Sequence, residues 1–343
     1  MPKLLLAVQL LAAIAITPAA AIDRSKDTFT EPQSLLLFGG ELGDFLIAAP
    51  IGNFVVPRPP GAIVENSFPL PALARAGDQV AASFRLPDDP GSAVCHPSWP
   101  VSGPHKPTIY KSVLGLYSLR DKKWKLYGDF CFVGSAAFSS DGNQVAFKAT
   151  ARPDDPRFRS STSPDVLLIL DLATGQLKSV PDTASVMGNG QLSWSPDGQY
   201  LAVSATSRAE KTPGNIVLIQ IGSWVKKVLA VGTNPSWSPK GDRIAYLADW
   251  NRTCMIVHPD GTGSKTALDL HGRPGEWLFH GGISWSADED TLLLNEEQFD
   301  GPNSQVTMLN LTNGQVTTKS KRRGPVLGWA AAMEGGQGPT DPR

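Results

Sequence analysis

The stretch Leu192-Ser193-Trp194-Ser195-Pro196-Asp197-Gly198 decides the fold, because the chain repeats it. Gap-free copies occur at Ala136-Ala137-Phe138-Ser139-Ser140-Asp141-Gly142, Pro235-Ser236-Trp237-Ser238-Pro239-Lys240-Gly241 and Ile283-Ser284-Trp285-Ser286-Ala287-Asp288-Glu289. Within the motif, Pro presets φ near −65°, Ser and Asp bond their own backbone, and Gly takes the left-handed φ that ends the turn. Asp141, Gly142, Pro196, Asp197, Gly198, Pro239 and Gly241 are therefore read as structural turn residues. An apolar run follows each copy: Val145-Ala146-Phe147, Leu201-Ala202-Val203, Ile244-Ala245-Tyr246 and Leu292-Leu293-Leu294. Apolar sequence on both sides of a tight turn predicts a β-hairpin.

The aromatic recurs at 138, 194, 237 and 285, at intervals of 56, 43 and 48. A weaker fifth copy lies upstream, with Leu73 in the aromatic position and Gly77 to Ser83 tracking Gly198 to Ser204. The second half of each unit is also β-like. Val166 to Leu172 runs through Ala173-Thr174-Gly175-Gln176 into Leu177, and Gln305 to Leu311 through Thr312-Asn313-Gly314-Gln315 into Val316. Two hairpins per unit, repeated near every 43 residues, predict four-stranded propeller blades. The fold class is all-β: a six-bladed β-propeller of four-stranded antiparallel blades, with seven blades as the alternative. Further strands are predicted at 35–38, 45–49, 54–56 and 62–64. Pro325-Val326-Leu327-Gly328-Trp329 resembles a lone first strand, 44 residues after Trp285 by its Trp. Such a strand closes the ring by pairing with the N-terminal blade, which removes exposed sheet edges.

The W-S-P-D-G turns, with the hairpin Asp171-Leu172-Ala173-Thr174-Gly175, resemble the TolB-like propeller repeat, a relative of the WD repeat. The resemblance covers roughly residues 73–320 and implies the propeller fold. TolB itself carries an α/β domain before its propeller, and here no such domain is expected, since strand-like sequence begins at Leu35.

Met1 to Ala21 has one early Lys, an apolar run from Leu4 to Ile16, then Pro18 and the small residues Ala19-Ala20-Ala21. This is the plan of a cleaved secretory signal, and its apolar run is short of the roughly 20 residues that span a bilayer. The expected organisation is a signal peptide at 1–21, a linker at 22–34, the propeller at 35–330 and a disordered tail at 331–343. The mature protein is expected to be periplasmic or secreted, and monomeric, with no transmembrane segment.

Lys plus Arg is 31 and Asp plus Glu is 32, so no net field favours nucleic acid. There is no G-x-S-x-G elbow, C-x-x-C, H-E-x-x-H, EF-hand loop or phosphate-cradling Gly loop. No catalytic residue, metal site or cofactor is assigned. Cys95-His96 with His105 lies in a Pro-rich insertion and is read as loop sequence. In an oxidising compartment, Cys95 and Cys131 are the pair expected to bridge if any does, because Cys254 lies further round the ring.

Propeller topology puts the short a–b and c–d turns on one face and the long b–c and d–a connections on the other. Long irregular connections on a rigid scaffold concentrate binding residues. That face offers Trp250, Arg252, Trp277, His280, Arg157 and Arg159 as candidate binding residues. Arg152, Arg208, Lys211 and Phe299 share the face, interspersed with Asp154, Asp155, Glu210, Glu296 and Glu297. The expected function is a non-catalytic scaffold binding a protein or envelope component. The alternative is a hydrolase or lyase acting on a sugar or other small substrate in the central channel, which requires carboxylates or His converging there.

Overall fold

The structure is a computed structural model. It describes residues 34–39, 45–49, 52–64, 71–74, 78–87, 110–152, 155, 165–183, 185–186, 190–205, 214–298, 303–320 and 326–331. The expected signal peptide, nearly all of the linker and tail, Cys95, Arg157 and Arg159 lie outside them.

The described strands form six antiparallel sheets, with no helix among the described residues. The first sheet runs Val326–Ala331, Ser34–Gly39, Phe45–Ala49, Gly52–Val56. In the second, Ile63–Val64 and Ala72–Leu73 both pair with Gln79–Pro87, followed by Tyr110–Ser118 and Lys123–Phe130. The third is Phe132–Phe138, Gln144–Thr150, Asp165–Asp171, Leu177–Val180. The fourth is Ser193–Trp194, Tyr200–Ala205, Asn215–Gln220, Lys226–Val231. The fifth is Thr233–Trp237, Ile244–Ala248, Thr253–Val257, Lys265–Asp269. In the sixth, Trp277–Phe279 and Ser284–Trp285 pair with Thr291–Gln298, followed by Ser304–Asn310 and Val316–Ser320.

The innermost strands touch in cyclic order. Ala72–Leu73 meets Phe132–Phe138, then Ser193–Trp194, Thr233–Trp237, Ser284–Trp285 and Val326–Ala331, which returns to Ala72–Leu73. The strand Val326–Ala331 also pairs with Ser34–Gly39, so the first and last described strands are joined by backbone hydrogen bonds within one sheet. This is the closed arrangement of a β-propeller.

Burial follows from that arrangement. In Gln144–Thr150 and Thr291–Gln298, five consecutive residues are buried, because neighbouring sheets cover both faces. The outermost strand Lys226–Val231 has no buried residue. The repeat Trp residues join sheets directly. Trp194 Nε1 donates to the Ala137 carbonyl at 3.1 Å, and Trp285 Nε1 to the Ser236 carbonyl at 3.0 Å. Each such bond contributes about 1 kcal/mol, beyond the apolar burial of the ring. Trp237 breaks the pattern: its backbone N–H takes the Ser193 hydroxyl at 2.9 Å, and its buried indole nitrogen has no partner.

Candidate functional site: a tethered turn on the long-loop face

The turn face is chemically self-contained. Ser139 and Ser195 donate to Asp141 and Asp197 at 2.6 and 2.5 Å, and accept the N–H of Gln144 and Tyr200 at 2.9 and 2.8 Å. The Ser139 bond, followed by the Asn143 N–H, holds the Asp141 carboxyl below the usual carboxylate range. Gly142, Gly198 and Gly241 have φ of 71°, 71° and 83°. In the third copy Lys240 replaces the Asp, and Ser238 donates to Asp242 at 2.9 Å instead.

The fourth copy departs further. Glu289 stands where the others have Gly, at φ 66°, with its side chain 2% exposed. Its carboxylate accepts from Arg243 Nη2 at 2.9 Å and from the Lys240 backbone N–H in the turn of the preceding sheet. Arg243 in turn lies 5.0 Å over the Trp285 ring.

A cavity of about 240 Å³ opens between the inner strands on this face. Its lining includes Ser193, Ser236, Ser284 and Ala72, with Gln191. The Gln191 side chain crosses to Ile283, donating to its carbonyl at 2.9 Å and accepting its N–H at 2.7 Å. That ties the fourth sheet to the sixth across the axis. None of the described lining residues is Asp, Glu, His, Lys, Arg or Cys. Amides, hydroxyls and backbone here can bind through hydrogen bonds, but they offer no general acid or base.

The opposite face is built differently. Between Ala248 and Thr253, a four-residue turn places Asp249, Trp250 and Asn251 at φ of 46°, 52° and 65°. Left-handed backbone costs an L-residue about 1–2 kcal/mol, and consecutive cases without Gly require support from outside the turn. The support is visible. The Asn251 side-chain carbonyl accepts from Thr233 Oγ1 at 2.8 Å, and its backbone carbonyl accepts from Phe279 N–H at 2.7 Å. The Arg252 carbonyl accepts from Leu270 N–H at 2.9 Å. Asp249 Oδ2 lies 2.7 Å from His271 Nε2, while His271 Nδ1 lies 2.5 Å from Asp269 Oδ1. The hydrogen bond to Asp269, with the charge of both carboxylates, raises the His271 pKa. At the middle of this turn Trp250 is 61% exposed.

The candidate binding residues divide. Arg252 Nη2 is 3.8 Å from Glu276 Oε2, a half-exposed pair of little energetic weight. Trp277 is not a loop residue: it begins the strand Trp277–Phe279, packs on the buried cluster between the fifth and sixth sheets, and donates to the Pro274 carbonyl at 3.1 Å. His280 Nδ1 lies 3.4 Å from Glu297 Oε2. The structure therefore joins the turn at 249–252 to the strand carrying Trp277, while leaving Trp250 outermost. Glu296, expected among the acidic groups of this face, is fully buried in Thr291–Gln298 and accepts from Arg273 at 2.6 Å. Arg152 is also buried and bonded to Asp129 at 2.5 Å. Lys148 is 3% exposed, donates to the Thr183 carbonyl at 2.7 Å, and burial lowers its pKa to about 8 despite nearby Asp165.

Sequence reasoning missed Asp249 and Asp269. Asp269, two positions before His271, carried a local signal, since its carboxylate accepts the His271 N–H at 2.9 Å. Asp249, 22 positions before His271, carried none. Cys131 is disulfide-bonded, whereas Cys254 is free, buried, and its thiol is pushed up to about 12 by desolvation. Cys95 is the remaining cysteine of the chain.

No protein-family model and no curated protein matches the chain. Solved structures do. TolB from Acinetobacter baumannii matches with a TM-score of 0.59 at 14% identity, over 87% of this chain and 66% of that one. A chain of a nidogen/laminin complex matches with a TM-score of 0.58 at 9% identity, over 88% and 98%. Oligogalacturonate lyase from Vibrio parahaemolyticus matches with a TM-score of 0.50 at 10% identity, over 77% and 71%. These likenesses define the class, a β-propeller. Within it, the W-S-P-D-G turns and the TolB match make the fold TolB-like, over just under two thirds of the TolB chain.

Proposed function

We propose that this chain is an exported, non-catalytic propeller of six blades that binds another protein or an envelope component through its long-loop face. The observation that carries this reading is Trp250, 61% exposed on a left-handed turn tethered from neighbouring strands. Trp on a rigid support is the residue type most often found at binding hot spots, since it buries large area at little entropic loss. The absence of titratable side chains from the described cavity lining supports a binding role over chemistry there. The nidogen/laminin match lends support from a propeller-like chain within a protein complex.

Export is supported by the disulfide at Cys131, since such bonds persist in oxidising compartments. Mass spectrometry of unreduced peptides is expected to join Cys131 to Cys95 and leave Cys254 as a thiol; a Cys254 bridge contradicts this.

The alternative reading, an enzyme on a sugar, draws on the lyase match. Pull-down from the native envelope with wild type and Trp250→Ala tests the main reading. A partner retained by wild type and lost by the folded variant supports it. Cleavage of oligogalacturonate by the purified protein, with pull-down unaffected by the variant, supports the alternative.

A further inference from the structure

His271 faces a carboxylate from each of its two ring nitrogens: Asp269 at Nδ1, 2.5 Å, and Asp249 at Nε2, 2.7 Å. Carboxylates only accept, so both ring nitrogens must carry hydrogen for both contacts to hold. Only the imidazolium does; a neutral ring has one N–H and one lone pair. Loss of the proton therefore sets a lone pair against one carboxylate.

The geometry says which contact fails. Asp269 accepts the His271 backbone N–H at 2.9 Å as well as the ring, so it remains beside the residue in either state. The proton kept by a neutral ring belongs at Nδ1, on the shorter contact. The interaction with Asp249 is the one released. Asp249 is the first of the three left-handed residues, and Trp250 follows it directly. The Arg252 N–H donates to the Asp249 backbone carbonyl at 3.0 Å and closes the turn, but the Asp249 side chain is held by His271, and the tethers from Thr233, Phe279 and Leu270 hold Asn251 and Arg252 on the far side of Trp250. The remaining charged group acting on the imidazole is Arg252, which opposes protonation and is itself drawn towards Glu276.

We infer that Asp249, His271 and Asp269 form a proton-dependent clasp that fixes the display of Trp250, so that recognition through this rim weakens as His271 loses its proton. The partner's affinity then depends on pH even where the partner has no titrating group in the contact. The inference rests on the proposed rim reading for its functional consequence, whereas the clasp itself can be measured without any partner.

The test uses the full chain labelled with 5-fluorotryptophan, with the Trp250 resonance assigned through Trp250→Phe. Fluorine and His271 proton spectra are followed together from about pH 5.5 to about pH 8.5, the range in which imidazole titrates. The expected result is a Trp250 shift whose midpoint coincides with that of His271, above the ordinary value of about 6.5. In Asp249→Asn the Trp250 shift disappears while His271 still titrates, with a lower midpoint. A Trp250 resonance that stays flat while His271 titrates overturns the clasp. Pull-down at both ends of the range gives the second arm, with an expected several-fold fall at high pH for wild type and none for Asp249→Asn. If Trp250→Ala leaves pull-down unchanged but the spectroscopic coupling is present, the clasp stands and the rim reading fails.

Discussion

The two faces of this propeller solve the same problem, returning the chain between neighbouring strands, in opposite ways. On the turn face each connection satisfies itself. Ser139 finds Asp141 and Ser195 finds Asp197, two residues away. On the long-loop face the turn at 249–252 depends on others: Asp249 on His271, Asn251 on Thr233 and Phe279. Self-satisfied turns can be copied from blade to blade, so they carry no individual chemistry. A turn held by tertiary partners is specific to its place, and its strained backbone can present a side chain that no local motif would expose. Glu289 marks a point where the turn face adopts the second strategy, with a left-handed non-glycine residue held by the neighbouring sheet.

That exception gives the largest expected effect. Removing one partner of a buried ion pair costs about 3–5 kcal/mol when the other is also buried. Arg243 is 23% exposed, so Glu289→Ala is expected to lose about 3 kcal/mol in urea denaturation. Glu289→Gly loses the same contacts but relieves the backbone, and should retain about 1 kcal/mol more. Equal losses would show that the position is unstrained and remove the parallel with the turn at 249–252.

Next is Lys148, buried between the third and fourth sheets. Its folded-state pKa of about 8 lies below the ordinary lysine value of 10.5, so the unfolded chain binds the proton more tightly. Stability on its account is lowest below pH about 8 and rises as pH increases towards 10.5. Lys148→Met is expected to raise stability by about 1–2 kcal/mol at neutral pH, the lost bond to Thr183 offsetting part of the gain. The wild-type rise above pH about 8 should vanish in the variant; a destabilised variant at neutral pH would show that the ammonium is better accommodated than its burial implies.

A smaller effect is expected at Gly198. A Cβ there meets only Ser140 Oγ, at 3.9 Å, so Gly198→Ala isolates the cost of φ 71°. Thermal melts should show a loss of about 1 kcal/mol. An unchanged midpoint would mean that the self-satisfied turns tolerate any residue and that their glycines are incidental.

How much of this was readable in advance follows the same division. The turn face was legible because its determinants are local: Ser, Asp and Gly at fixed offsets give both the hairpin and its position. The strand at Phe45–Ala49 was likewise read from its apolar run. Partners were harder. Residues 62–64 are predicted as a further strand without a partner, and Ile63 and Val64 pair with Arg85 and Phe84 of the second sheet. An apolar run marks a strand without naming its neighbour. Trp277 was expected in a loop because Gly272, Pro274 and Gly275 precede it, but its strand pairs with Gln298 across the sheet. The clasp at His271 and the crossing by Gln191 to Ile283 join residues far apart in sequence, and no spacing announces them. Glu289 occupies the glycine position of the fourth copy, and only the carboxylate's partners, Arg243 and Lys240, explain why a charged residue stands there.

The central claim is that recognition belongs to the tethered, unequal face and is anchored by Trp250. The direct measurement is Trp250→Ala in pull-down from the native envelope, with Tm recorded on the same preparation. At 61% exposure the side chain contributes little to the fold, so Tm is expected to move only by what a surface substitution's stability change of about 0.5 kcal/mol produces, while partner recovery falls at least several-fold. Full recovery of the partner by a well-folded Trp250→Ala protein would contradict the account.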